Sequence, residues 1–347
     1  MKSVSVRLLS AALIGVLLLL GTEGAFAGRG DKAGTSAAPE LLIPVGARSI
    51  AMGNATSSIV KGIDAIYWNP AGLSRTSTSA EAMFSWMSYI ADININYAAV
   101  AATFEGFGSV GLALKSVGFG DIEITNEIAP DGTGQIFSPT YVVVGLTYSL
   151  LLTDRISVGL TGNVISETID RVSATGVAFD AGVQYSSFAD VSGLTIGVAV
   201  KNIGPTMTFD GAGLYRTAEA VDHLRPPTLY KVEAQEDELP STIELAVGYE
   251  TTLAEDHGLT VVGVFQNNNL ADDQYKFGAE YAFANQLFLR AGYDYMPESY
   301  DDARMYGATF GGGVKQTFGT LAVGIDYAYR SVEYLDGNHV ITVTLGF

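Results

Sequence analysis

The sequence predicts an all-β membrane protein: a 14-stranded antiparallel transmembrane β-barrel with an N-terminal hatch inside the lumen. Three observations predict it. The chain begins with a secretory-type signal and contains no cysteine. From about residue 77 onward, apolar residues recur at every second position in short runs. The connections between those runs alternate in length, long then short.

Residues 1–27 read as a signal peptide. Lys2 and Arg7 form its charged start, Leu8 to Leu20 its apolar stretch, and Ala25-Phe26-Ala27 a small-residue cleavage site. The apolar stretch is shorter than the ~20 residues a spanning helix needs. Cleavage would leave Gly28 as the mature N-terminus. The absence of cysteine excludes a lipoprotein, a disulfide scaffold and a cysteine-ligated metal. Hydrophobic residues make up 48% of the chain and charged ones only 16%. Glycine occurs 40 times in 347 residues, well above the usual ~7%. This composition suits a barrel whose apolar residues are spread one in two along its strands, although a large soluble β domain shares it. A net charge of −18 argues against nucleic acid as a partner.

The domain reading is 1–27 signal peptide, 28–76 N-terminal extension and hatch, and 77–347 transmembrane barrel. Residues 28–40 are small and polar, with no fixed structure expected. Residues 46–73 read GARSIAMGNATSSIVKGIDAIYWNPAGL. Gly46, Gly53 and Gly62 permit sharp reversals through positive φ. Asp64 is placed to cap a short helix carrying Ile66, Tyr67 and Trp68. Pro70 disfavours helical backbone at Asn69, so the helix should stop there, and Gly72 follows as a turn or C-cap residue. The Asn69 side chain should hold the turn.

These residues carry a resemblance. GAR-x-x-AMG-x-A, which supplies Gly46, Arg48, Met52 and Gly53, is followed by D-x-x-YWNPAGL, which supplies Asp64, Trp68, Asn69, Pro70, Ala71 and Gly72. Together they resemble the N-terminal region of the PorV/PorQ family of outer-membrane proteins. Asn69-Pro70-Ala71 is similar to the hatch motif of the FadL-type long-chain fatty acid transporters. The resemblance implies a hatch-bearing outer-membrane barrel that takes part in protein export of type IX secretion type and receives or shuttles secreted proteins. The alternative is a FadL-like transporter of long-chain fatty acids or other hydrophobic small molecules. That function would require an apolar groove beside the hatch, drawn from Trp68, Met83, Met87, Tyr89 and Val143. A purely structural or adhesive barrel is a third reading. The implied partners are outer-membrane lipid and lipopolysaccharide, with secreted proteins, other secretion components or a hydrophobic small molecule. No cofactor is implied.

Fourteen strands are expected at 77–90, 95–105, 108–117, 139–151, 155–166, 174–187, 193–202, 241–251, 258–268, 275–285, 287–297, 305–317, 320–331 and 338–347. In the clearest runs Ile196, Val198, Leu245, Val247, Leu289, Val323, Ile325, Val343 and Leu345 share an apolar face. Glycine, small and charged residues share the other, and Tyr97 to Phe104 gives no clear face. Side chains alternate across a strand, so such a pattern needs two unlike surroundings. The even-numbered connections are short, as at 106–107, 153–154 and 318–319. Most odd-numbered ones are longer: 118–138, 167–171, 202–240, 268–274, 297–303 and 331–338. Short turns on the periplasmic side and long loops outside are the outer-membrane pattern. An even strand number then predicts both termini in the periplasm.

The chain is not expected to be an enzyme. Its three histidines, His223, His257 and His339, fall in separate regions, and no G-x-S-x-G or HExxH occurs. Asp180, Lys201, Glu244, Glu250, Lys276, Glu280, Arg290, Asp294, Lys315, Asp326 and Arg330 are expected on the lumen face. They would form either a selectivity path or a charge network tying wall to hatch, since a buried charge needs a partner. The acidic stretches 121–127, 233–238 and 298–302 read as solvated loop charge, with calcium binding or lipopolysaccharide bridging as the alternative.

Overall fold

The computed structural model describes residues 32, 34–218, 226–297 and 306–347. The signal sequence, Gly28, His223 and the acidic stretch 298–302 lie outside the described residues.

The barrel strands are β1 (Ala80–Ser88), β2 (Asn94–Phe104), β3 (Gly108–Gly118), β4 (Thr140–Leu151), β5 (Ile156–Ile169), β6 (Val172–Ser186) and β7 (Leu194–Ile203). They continue as β8 (Thr242–Ala254), β9 (His257–Asn268), β10 (Gln274–Phe283), β11 (Leu287–Tyr295), β12 (Tyr306–Phe318), β13 (Leu321–Val332) and β14 (Asn338–Gly346). Each pairs antiparallel with its neighbours in sequence, and β1 closes on β14 through pairs such as Phe84 with Val343. Closure leaves no free edge, which is what lets a sheet sit in hydrocarbon. All fourteen expected strands are present, within a few residues of their expected ends.

The face assignment follows the alternation. Leu245, Leu289 and Ile325 are 52%, 67% and 54% exposed, while the adjacent Glu244 and Arg290 are 1% and 6% exposed. Apolar side chains therefore point out of the ring and charged ones into it. Strand β2, unassigned from sequence, turns Ile95, Tyr97 and Ala99 inward and Ala98 and Val100 outward. Its inward side chains are themselves apolar, so hydropathy could not separate the two faces.

One loop is shorter than expected: the connection after β5 is the two-residue turn Asp170-Arg171, not a longer loop over 167–171. Ile169 pairs with Val172 directly, so the ladder runs to the turn. Glu167 accordingly lies on the inner wall, 2% exposed. The 38-residue connection 204–241 carries two small ribbons, Met207–Thr208 with Glu236–Asp237 and Tyr215–Ala218 with Thr228–Lys231.

The N-terminal segment lies within the ring. It comprises the 3-10 turn Pro39–Leu42, the helix α1 (Ala47–Ala51), the turn Gly62–Asp64, the helix α2 (Ala65–Trp68) and the 3-10 stretch Pro70–Arg75. Residues 34–40 are not loose. Ala37 N–H donates to the Glu238 carbonyl at 3.0 Å, on the connection that follows β7. This corrects the expectation for the start of the chain. Phe347 closes on Ala80 at the short-turn end, and the first described residues sit at the long-loop end, where Ala37 meets Glu238. Counting strands fixes only where the barrel begins and ends.

Candidate functional site

The segment is seated by a girdle of inward glycines at one level of the wall. A Cβ on Gly182 of β6 would meet Asn69 Oδ1 at 2.0 Å, and one on Gly159 of β5 would meet the Pro70 carbonyl carbon at 2.3 Å. Similar atoms on Gly197, Gly248, Gly278, Gly292 and Gly311 would strike Ser57, Ile59, Met52, Gly53 and Ala51 at 2.0–2.6 Å. On β3, Gly111 receives Ile66 and Leu73. Strand glycine ordinarily weakens a sheet; here it lets a second backbone approach the wall.

The motif residues hold the folded segment to itself and to that wall. Gly46, Gly53 and Gly62 have φ of 84°, 65° and 64°, as the reversals require. Asn69 leaves the helical region (φ −159°) and its Oδ1 accepts from Ala71 N–H at 3.2 Å. Its Nδ2 donates to the Ser57 carbonyl at 2.7 Å and the Val183 carbonyl at 3.3 Å. Trp68 is 3% exposed and its Nε1 donates to the Val45 carbonyl at 3.1 Å. Met52 packs against the wall with Ala246 and Val262.

Two motif residues behave otherwise than expected. Asp64 makes no capping hydrogen bond. The turn Gly62–Asp64 runs straight into α2, so Asp64 sits inside helical backbone instead of preceding it. Burial pushes its carboxyl up to about 6, against the pull of Arg48. Gly72 is neither a reversal nor a C-cap; a Cβ there would lie 2.2 Å from the Val60 carbonyl oxygen, so close packing within the segment requires it.

The expected lumen charges fall into clusters. Arg48 grips Glu280 through two hydrogen bonds of 3.0 Å, Arg290 Nε lies 2.5 Å from the same carboxylate, and Arg290 Nη1 lies 2.5 Å from Asp326. Lys201 pairs with Glu244 at 3.0 Å, and the Ser57 hydroxyl donates to Glu244 as well. Asp180 accepts from Asn202 N–H at 2.7 Å, holding a bulge where the β6–β7 register shifts. Arg330 stacks on Tyr306, and Asp294 stands opposite Lys276. Lys61 reaches Glu250 at 2.9 Å at the short-turn end. The network thus joins wall to segment at Arg48, Ser57 and Lys61, and through Lys201, whose ammonium lies over the Tyr67 and Trp68 rings; other pairs join wall to wall. Sequence reading missed Glu40, Lys115 and Glu167, all buried beside the segment's first turn. Lys115 and Glu167 do fall on the lumen side once alternation is extended along β3 and β5.

Four of the five residues named for an apolar groove come together. Trp68, Met83 and Met87 share one cluster with Ile95, Tyr97 and Ala113, and Tyr89 packs against it. Val143 joins a separate one with Leu41 and Ile165. The segment's own Val45, Ile50, Val60, Ile63, Ile66 and Leu73 fill the first cluster, and a cavity of about 50 Å³ lies between it and Val143, bordered by Leu41, Ile66, Tyr97 and Ala113. A polar cavity of about 590 Å³ lies below the segment at the short-turn end, bordered by Arg48, Asp64, Glu81, Glu250 and Lys315. His257 and His339 stand at opposite ends of the barrel, each bonded to a tyrosine hydroxyl.

Fold and site together define an outer-membrane β-barrel with an internal N-terminal segment, a barrel channel or transporter fold and not an enzyme fold. The model of the type IX secretion system protein PorV matches residues 27–272. The chain therefore belongs to the PorV family, whose members are outer-membrane barrels of type IX protein secretion. Among solved structures it is similar to the Pseudomonas putida toluene transporter TodX, with TM-score 0.56, 14% identity, and 86% of this chain and 96% of that one covered. It is also similar to the Ralstonia pickettii toluene transporter TbuX, with TM-score 0.52, 14% identity, and 87% and 98% covered. A Pseudomonas aeruginosa FadL homologue matches at TM-score 0.50, 13% identity, and 88% and 98% covered. A comparison with curated proteins gives no match.

Proposed function

We propose that this barrel serves protein export by receiving or shuttling secreted proteins at its long-loop end, with residues 28–76 as a hatch that keeps the lumen shut. The family carries the export reading, and the glycine girdle carries the closed lumen. In this reading the short turns and the C-terminus face the periplasm, and the first described residues lie at the outer mouth. Outer-membrane lipid and lipopolysaccharide surround the outward Leu, Ile and Val belt. The motif residues Gly46 to Gly72 act by seating the hatch, and the lumen charges hold it and the wall in register. Deletion of the gene should deplete the secreted proteome while leaving growth on long-chain fatty acids or aromatic hydrocarbons unchanged; the reverse result would transfer the function to hydrophobic uptake.

Uptake of a hydrophobic small molecule is the second reading. The fold shared with the toluene transporters favours it. The mostly occupied apolar wall weighs against it, because the segment's own side chains cover that wall and leave beside Val143 a cavity of only about 50 Å³.

A further inference from the structure

We propose that residues 37–43 form a proton-gated strap across the long-loop mouth of the lumen, held down while Glu40 and Glu167 share one proton and released when both ionise. The strap's backbone is gripped closely. Lys115 Nζ donates to the Glu40 carbonyl at 2.6 Å and also to the Ile43 carbonyl. The Tyr67 hydroxyl lies 3.0 and 2.9 Å from the carbonyls of Leu41 and Ile43. Leu41 packs with Val143, Ile165 and Leu239.

The Glu40 side chain breaks this pattern. It is 1% exposed, and neither carboxyl oxygen meets a donor from the rest of the protein. Its neighbour is the Glu167 carboxyl of β5, itself 2% exposed. Two dry carboxylates in contact cannot both be charged. A proton on Glu40, donated to Glu167, supplies the missing hydrogen bond and leaves one charge on the pair.

The facing groups allow this. Lys115 comes from β3, with its ammonium already engaged by two carbonyls. Tyr141 comes from β4, and Lys32 with Glu238 lies at the rim, 3.9 Å apart. Burial first, and then the Glu167 charge, push the Glu40 carboxyl from 4.5 up to about 8. A raised acid favours the folded, protonated strap. Its contribution is complete below about pH 4.5, declines as pH rises, and is lost above about pH 8. Release would uncover the cavity beneath, bordered by Tyr67, Tyr97, Lys115, Asp180 and Lys201.

The test is amide hydrogen exchange on the mature full chain in lipid nanodiscs, corrected for intrinsic rates. The reporters are the Leu41 and Ile43 amides, which donate to Ala38 and Glu40 carbonyls; Ile59 and Val60, deep in the segment, are the reference. Between about pH 6 and about pH 9, protection at 41 and 43 should fall at least ~10-fold relative to 59 and 60. Glu40→Gln, which keeps a donor toward Glu167, should abolish that fall, and Glu167→Gln, which offers an ionised Glu40 an amide donor, should reduce it. A flat wild-type profile would overturn the proposal, as would a fall that survives in Glu40→Gln or is undiminished in Glu167→Gln.

Discussion

The two halves of the inner wall meet the same segment with opposite chemistry. Strands β1 to β3 present Met83, Met87, Ile95, Tyr97, Ala113 and Val117, and the segment answers with Ile50, Ile63, Ile66 and Leu73. Strands β7 to β13 present Lys201, Glu244, Glu280, Arg290 and Asp326, and the segment answers with Arg48 and Ser57. Apolar contact is non-directional and fixes little orientation. Bidentate ion pairs are directional and fix it well, at a desolvation cost. The apolar half therefore supplies most of the adhesion, and the charged half supplies register beside its own smaller apolar contact of Met52 and Ile59 with Ala246 and Val262. The glycine girdle runs through both and sets the depth.

The largest expected effect removes the seat. Gly182→Val with Gly197→Val should displace the segment from β6 and β7, because the new side chains overlap Asn69 and Ser57. The barrel's own ladder is untouched, so heat-modifiable gel migration should persist while the segment becomes open to protease.

Next comes the charged half. Arg290→Met strips the partner from Asp326 and one of two partners from Glu280, in a site where Arg290 is 6% exposed. Breaking a buried pair typically costs ~3–5 kcal/mol. Urea unfolding in lipid vesicles reads that cost, and restoring charge with Lys should recover only part of it, since the fork geometry is lost.

In the apolar half Met83→Ala should cost ~2–5 kcal/mol and leave a dry cavity. Such a cavity should bind a small aromatic, detectable by ligand-observed NMR. If wild-type protein binds the same aromatic equally well, the apolar wall is not filled by the segment. The smallest effect is expected at the junction. Asn69→Ala deletes bonds to Ala71, Ser57 and Val183 and should cost ~1–3 kcal/mol, read as faster amide exchange at Ala71 and Gly72 with barrel exchange unchanged.

The barrel was legible in the sequence because two solvents impose a strict period of two. Ile325 and Asp326 announce their opposite faces from composition alone. The motif residues were legible because their conformations are local: positive φ at Gly46 and Gly53, and the stop at Asn69 before Pro70. The remainder depends on partners distant in the chain. Nothing near Gly182 says that Asn69 lies against it, and nothing near Gly72 says that Val60 does. Tyr97 faces inward into an apolar patch, so the usual contrast vanished there. Glu167 looked like loop because acidic residues usually are, and only the β5–β6 register moves it to the wall. The ascent of residues 34–43 to the long-loop end rests on Lys115, Tyr67 and Glu238, none of which has a sequence signature for it.

In the proposed reading the segment, seated on the glycine girdle, closes the lumen. Single-channel conductance in planar bilayers reads that closure, comparing wild type with the Gly182→Val, Gly197→Val double variant at matched insertion. Wild type should pass no steady current and the double variant should open to a stable conductance. Steady conductance in wild type, or a silent double variant whose segment has become protease-sensitive, would contradict it.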